Sequence, residues 1–160
     1  EFYRWAPDMV KSLVCASTAP LGGNYYSKLD QRLFKLTPTL LKLYKMDRLV
    51  EEIVKRDTLT PGSAQYTRDT LKQYQRDEII TIMSAIADNL RFDEETPIEC
   101  PFLVMVGDSD NAGKVKAYSK QWAKDADADY LEVPLAAHML NVDNPGSFNL
   151  ILQNWLKSLK

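Results

Sequence analysis

Five consecutive apolar residues, Phe102-Leu103-Val104-Met105-Val106, opened by Pro101 and closed by Gly107, constrain the fold of this chain more than any other feature. The run is strand-sized, carries no polar alternation and has its proline at the tolerated first position, so it belongs inside a sheet covered on both faces. Leu13-Val14-Cys15-Ala16 is a shorter run of the same kind. In a third, Tyr130 to Val133, Leu131 and Val133 alternate with Tyr130 and Glu132, the pattern of a strand nearer a sheet edge.

Helical periodicity fills the intervals. Pro7 stops an opening helix, and from about Asn24 to Asn89 the pattern is helical throughout, with room for three or four helices. Thr37-Pro38 and Thr60-Pro61 predict two helix starts, each a capping hydroxyl followed by proline at the first helical position. One apolar face holds Leu40, Leu41, Tyr44, Val50, Ile53 and Val54, and another holds Ile79, Ile82, Met83, Ile86 and Leu90. Lys114 to Ala126 predicts a helix with Val115, Tyr118 and Trp122 inward, and Asn144-Pro145 starts a last one carrying Phe148, Ile151, Leu152, Trp155, Leu156 and Leu159 on one face. The order is strand, helical insertion, strand, helix, strand, helix. It implies an α/β fold with a parallel sheet and right-handed crossovers, so the carboxyl ends of all three strands share one edge.

Composition removes several function classes. Twenty basic against 22 acidic residues in 160 give a formal charge of −2 with no long block of either sign, which makes nucleic acid and anionic membranes poor partners. No apolar stretch approaches a bilayer span, and no signal-peptide pattern opens the chain. Cys15 and Cys100 lie in or beside strands, away from disulfide or zinc spacing, and are expected as buried free thiols, which favours a reducing, cytoplasmic setting. With one histidine and two distant cysteines there is no metal cluster, and no P-loop pattern surrounds Gly107 or Gly113; no cofactor is expected.

Sites in open α/β sheets form outside the carboxyl ends of the strands, where the Gly107-Asp108-Ser109-Asp110 loop and the Ala136-Ala137-His138-Met139 loop both emerge. An imidazole acts as a general base near neutral pH when a buried carboxylate accepts a hydrogen bond from one ring nitrogen and sets the tautomer. Asp110 is placed to serve His138 in this way. A GxxD loop or a solitary histidine is ordinarily structural when taken alone; their order, one helix and one strand apart, favours chemistry. Ser17 and Ser109 lie outside any glycine-flanked elbow and are expected to stabilise turns. Met139, beside the histidine, is the best candidate for lining an apolar substrate pocket, though methionines usually pack in cores. Gly22-Gly23 fits either a hinge or a plain exit loop.

On these residues the chain resembles the carboxyl-terminal half of the α/β-hydrolase superfamily with a helical lid. The likeness rests on Ala6 to Val14 ahead of the first strand, the helical insertion, the Gly107 to Asp110 turn, and Ala137-His138-Met139 with Asn144-Pro145 behind it. It implies residues 1–17 as the end of the nucleophile helix and the first core strand, 18–97 as the lid, and 98–160 as the carboxyl-terminal core. It also implies a triad in chain order nucleophile, acid, histidine, with the nucleophile on a strained G-x-S-x-G turn. No such turn occurs here, so the nucleophile and the oxyanion-hole amides are expected upstream of residue 1, and this chain alone should be inactive. Asp110 ranks first as the acid because the family's acid closes the GxxD turn; Asp108 ranks second, and Asp143 is expected to help start the last helix.

Two functions follow from the resemblance. One is esterase-like hydrolysis of a small apolar substrate; the alternative is a hydrolase-like module that only binds a ligand or a protein. The expected partners are the substrate, the missing amino-terminal half and a second copy through dimerisation or strand exchange, since the first strand would otherwise present an open edge.

Overall fold

A computed structural model of the chain describes residues 2–22, 25–90 and 96–159. Three parallel strands, β1 (Leu13–Ala16), β2 (Phe102–Gly107) and β3 (Asp129–Val133), form one sheet in the order β1-β2-β3. Leu13 lies opposite Phe102, and Leu103 opposite Asp129, so β2 and β3 end together at Gly107 and Val133 while β1 ends at Ala16, opposite Met105.

The apolar run of β2 is wholly buried because each face has its own cover. Leu103 and Met105 point into a cluster with Val133, Ala136, Leu140 and Trp155, the last carried by a terminal helix, α8 (Pro145–Ser158). Phe102 and Val104 point the other way, onto Ala123 of α6 (Val115–Asp125). The inward stripe of α6 is centred on Ser119 and Ala123, with Val115, Tyr118 and Trp122 half-buried beside them; small residues let the helix approach the sheet closely. Ser119 Oγ donates to the Thr18 carbonyl at 2.7 Å and ties α6 to the end of β1.

The opening helix, α1 (Phe2–Trp5), is followed by a 3₁₀ turn at Pro7–Met9. Among the described residues the insertion between β1 and β2 holds four helices: α2 (Lys28–Leu41), α3 (Met46–Asp57), α4 (Pro61–Leu71) and α5 (Arg76–Asp88). Thr60-Pro61 starts α4 as expected, with Thr60 and Ser63 forming a capping box. Thr37-Pro38 starts nothing. It lies inside α2, which begins at Ser27, whose Oγ accepts the Asp30 N–H at 3.2 Å. Thr37 returns its hydroxyl to the Leu33 carbonyl at 2.9 Å, and Pro38 forfeits its backbone bond close to the helix end, where the loss is small. Leu40 and Leu41 therefore close one helix while Val50, Ile53 and Val54 belong to the next.

Three further expectations are corrected. Leu131 is exposed, because β3 is an edge strand and Val133 alone of its apolar pair meets the core. Leu156 and Leu159 of the last stripe are also exposed, since α8 packs on the core through Phe148, Ile151 and Trp155. Cys15 and Cys100 are free but only half-buried, and burial pushes the Cys15 thiol up to about 11. Gly23, Glu1 and the side chain of Ile86 lie outside what is described.

Candidate functional site

The end of β2 and the segment after β3 are sewn together backbone to backbone. Asp108 N–H donates to the Val133 carbonyl at 3.0 Å and Ser109 N–H to the Ala136 carbonyl at 2.9 Å. Gly107 permits this closeness: a Cβ there would sit 2.2 Å from the Ala137 carbonyl oxygen and 2.3 Å from that of Ala136. Asp108 is not beside the imidazole. Its carboxylate accepts the amides of Leu135 (3.0 Å) and Ala136 (3.3 Å), bracing a turn in which Leu135 takes the left-handed φ of 53°. Such a backbone costs a β-carbon-bearing residue about 1 kcal/mol or more and persists only when its surroundings hold it.

Asp110 and His138 meet on this scaffold. His138 Nδ1 lies 3.0 Å from Asp110 Oδ2, and Asp110 Oδ1 accepts the Ala112 N–H at 2.8 Å. The Asp110 side chain is fully buried, whereas His138 keeps 28 % of its own exposed. Burial alone would raise the Asp110 pKa. The hydrogen bonds from His138 and Ala112, with the nearby imidazole charge and a smaller contribution from Ser17, outweigh it and hold the carboxyl below its ordinary value. An ionised Asp110 accepts only, so the proton belongs on Nδ1 and the lone pair on Nε2, the form a general base requires.

Ser17 ends β1 with a left-handed φ of 45° and a buried hydroxyl that makes no hydrogen bond of good geometry. It lies at the same rim as Asp110, as the shared edge of the parallel strands implies, and contributes a small share to holding the Asp110 pKa down. Ser109 donates to Asp108 Oδ1 at 2.9 Å, as a turn residue.

Asp143 does not start the last helix. Asn144 does, accepting the Ser147 N–H at 3.1 Å, because its side chain is one residue closer to the orphan amides. Asp143 instead reaches across to the insertion, where Oδ1 accepts Leu59 N–H (2.9 Å), Thr60 N–H (3.1 Å) and the Ser63 hydroxyl, while Oδ2 accepts Ala137 N–H at 2.8 Å. Met139, half-buried, opens the short helix α7 (Leu140–Asp143) and donates its N–H to the Asp57 carbonyl at 2.9 Å. Asp57 is held by both arms of Arg56, at 2.5 and 2.8 Å, and the Asp110 charge helps hold the Arg56 pKa up. None of these long-range partners has a local motif.

A cleft of about 780 Å³ lies away from the pair, alongside α1, β1 and α6, and is lined by Leu13, Cys15, Pro20, Ile98 and Trp122 among others. Among the described residues no three His, Cys, Asp or Glu side chains converge as metal ligands, and no helix is long and apolar enough to cross a membrane.

Asp108, Asp110 and Asp143 all titrate below their ordinary range: Asp108 chiefly through the Leu135 amide, the other two through hydrogen bonds that outweigh burial. The unfolded chain therefore binds these protons at higher pH than the folded one. Their stabilisation is complete above about pH 4 and drains away as the pH falls through the lower folded values. Urea midpoints measured from pH 7 downward should hold to about pH 4 and then drop, and Asp108→Asn should flatten that acid limb.

No protein-family profile matches the sequence, and no curated protein is similar to it. Solved structures are. A thermophilic esterase superposes with a TM-score of 0.71 at 21 % identity, covering 98 % of this chain and 60 % of its own. An enol-lactonase from Burkholderia xenovorans LB400 (TM-score 0.71, 21 % identity, 94 % and 58 % covered) and a hydrolase from Pseudomonas aeruginosa PA01 (0.71, 20 %, 94 % and 57 %) match similarly. The chain thus has part of the α/β-hydrolase fold. It spans about 60 % of the length of the chains it matches.

Proposed function

We propose that this chain supplies the acid, the base and the lid of an α/β-hydrolase active site, with His138 as general base and Asp110 as the carboxylate that orients it. The observation that carries the reading is the 3.0 Å contact between Nδ1 and a fully buried carboxylate, at the edge where β2 and β3 end. A binding module would have little reason to keep a charged side chain desolvated beside the only imidazole. The names of the matched proteins, an esterase and an enol-lactonase, support hydrolysis of a small ester or lactone. Met139 adjoins the base and is proposed to face the substrate.

The reacting nucleophile belongs to a complementary segment of the same fold. That segment would pair with β1, which lies at the sheet edge, and would cover the apolar cleft beside it. The four inserted helices serve as the lid.

Joined to such a segment, the chain should hydrolyse p-nitrophenyl acetate and take up a fluorophosphonate label stoichiometrically; alone it should do neither. Hydrolysis that persists undiminished after His138→Ala would overturn the assignment.

A further inference from the structure

The two residues flanking His138 are both tied to the same part of the insertion, Met139 directly and Ala137 through Asp143. Ala137 N–H goes to Asp143 Oδ2, and Asp143 Oδ1 takes Leu59, Thr60 and Ser63 at the junction between α3 and α4. On the other side, Met139 N–H goes to the Asp57 carbonyl at the end of α3. Asp143 is thus one carboxylate shared between two segments about 80 residues apart in sequence. Its four donors include the amides of Leu59 and Ala137, which lie outside regular structure, and that of Thr60, which it shares with Ser63 Oγ at 3.2 Å, so losing the carboxylate from either side leaves a donor unmet. Ser63 is also buried and belongs to the α4 capping box, which makes the start of α4 and the histidine loop parts of one hydrogen-bonded unit.

We propose that Asp143 is a positioning residue that registers the helical insertion against the histidine loop, so that displacement of the α3–α4 junction and displacement of His138 are a single motion. The insertion is then no passive cover. When its α3–α4 junction is seated the imidazole is held over Asp110; when the junction lifts, Met139 loses Asp57 and Asp143 loses the three donors that fix the carboxylate under Ala137, so the base is released. In an enzyme this would couple lid closure to assembly of the site, which rests on the hydrolase reading; the mechanical coupling itself does not.

Amide hydrogen exchange separates the two. Ser63→Ala perturbs only the insertion side of the carboxylate, and Asp143→Asn leaves one side an amide NH₂ that donates and cannot accept. Each should speed exchange at the Ala137 amide roughly tenfold or more. Gln65→Gly, on the exposed side of α4, loosens that helix without touching Asp143 and should leave Ala137 at the wild-type rate. If Ser63→Ala speeds exchange within α4 but not at Ala137, or if Gln65→Gly accelerates Ala137 as much as Ser63→Ala does, the coupling is refuted. In the active, joined protein Ser63→Ala should lower kcat while KM changes little. Faster exchange at Ala137 with no hydrolysis by any form would uphold the coupling and sink the hydrolase reading instead.

Discussion

Asp110→Asn is expected to cut ester hydrolysis by the joined protein about ten-thousand-fold in kcat, as severely as His138→Ala, while the fold survives. The reason lies in the second oxygen. Oδ1 is committed to the Ala112 amide at 2.8 Å, so an asparagine must place its carbonyl there and turn its NH₂ toward His138 Nδ1. An NH₂ can only donate, which forces Nδ1 to accept and moves the ring proton to Nε2. The base is then blocked in the wrong tautomer with its position almost unchanged. The chain has a single histidine, so one pair of ¹⁵N imidazole resonances reports the switch without assignment ambiguity. A variant that keeps the wild-type tautomer and rate would show that Asp110 does not orient the ring.

Gly107→Ala should be the most damaging one-carbon change in the molecule. Its new Cβ would fall 2.2 and 2.3 Å from two backbone carbonyl oxygens, of Ala137 and Ala136, and 2.7 Å from the Ala136 carbonyl carbon. Backbone cannot swing aside as a side chain does, so the histidine loop must withdraw by about an ångström. That breaks the Ser109–Ala136 bond and pulls His138 from Asp110. The expected cost is about 3 kcal/mol in urea denaturation, together with loss of hydrolysis in the joined protein. Gly62→Ala is the control, because in α4 the nearest atom to its Cβ is Thr60 Oγ1 at 4.0 Å. There the added methyl should be neutral or stabilising by up to about 1 kcal/mol, as alanine usually is in a helix. Equal damage at both positions would show that the close approach at Gly107 is not what matters.

What could be foreseen follows a simple division. Strands β2 and β3, helix α8 with its Asn144-Pro145 start, and the α4 start at Thr60-Pro61 all carry their instructions within a few adjacent residues. Asp110 and His138 were legible for a related reason: each sits in the loop after a recognisable strand, and parallel topology brings such loops to one edge whatever the details of packing. Thr37-Pro38 misled because the same dipeptide suits a helix start and a late helical position, and the choice was made upstream by Ser27 and Asp30. Buried Asp30 also meets Lys114 at 2.9 Å, joining the insertion to the start of α6, a bond invisible at either end of the sequence.

Asp143 and Gly107 mark the other side of the division. An aspartate just before Asn-Pro looks like a helix cap, and a glycine after a strand looks like the start of a turn. Their actual work depends on groups dozens of residues away, amides at Leu59 and Thr60 for one and carbonyls at Ala136 and Ala137 for the other. By itself the sequence determined the order of strands and helices and the edge at which an acid and an imidazole emerge, because periodicity, caps and parallel connections are short-range properties. Only the tertiary structure decided which carboxylate braces the turn and which locks the insertion, because hydrogen bonds and steric contact act over about 3 Å in space and are indifferent to distance along the chain.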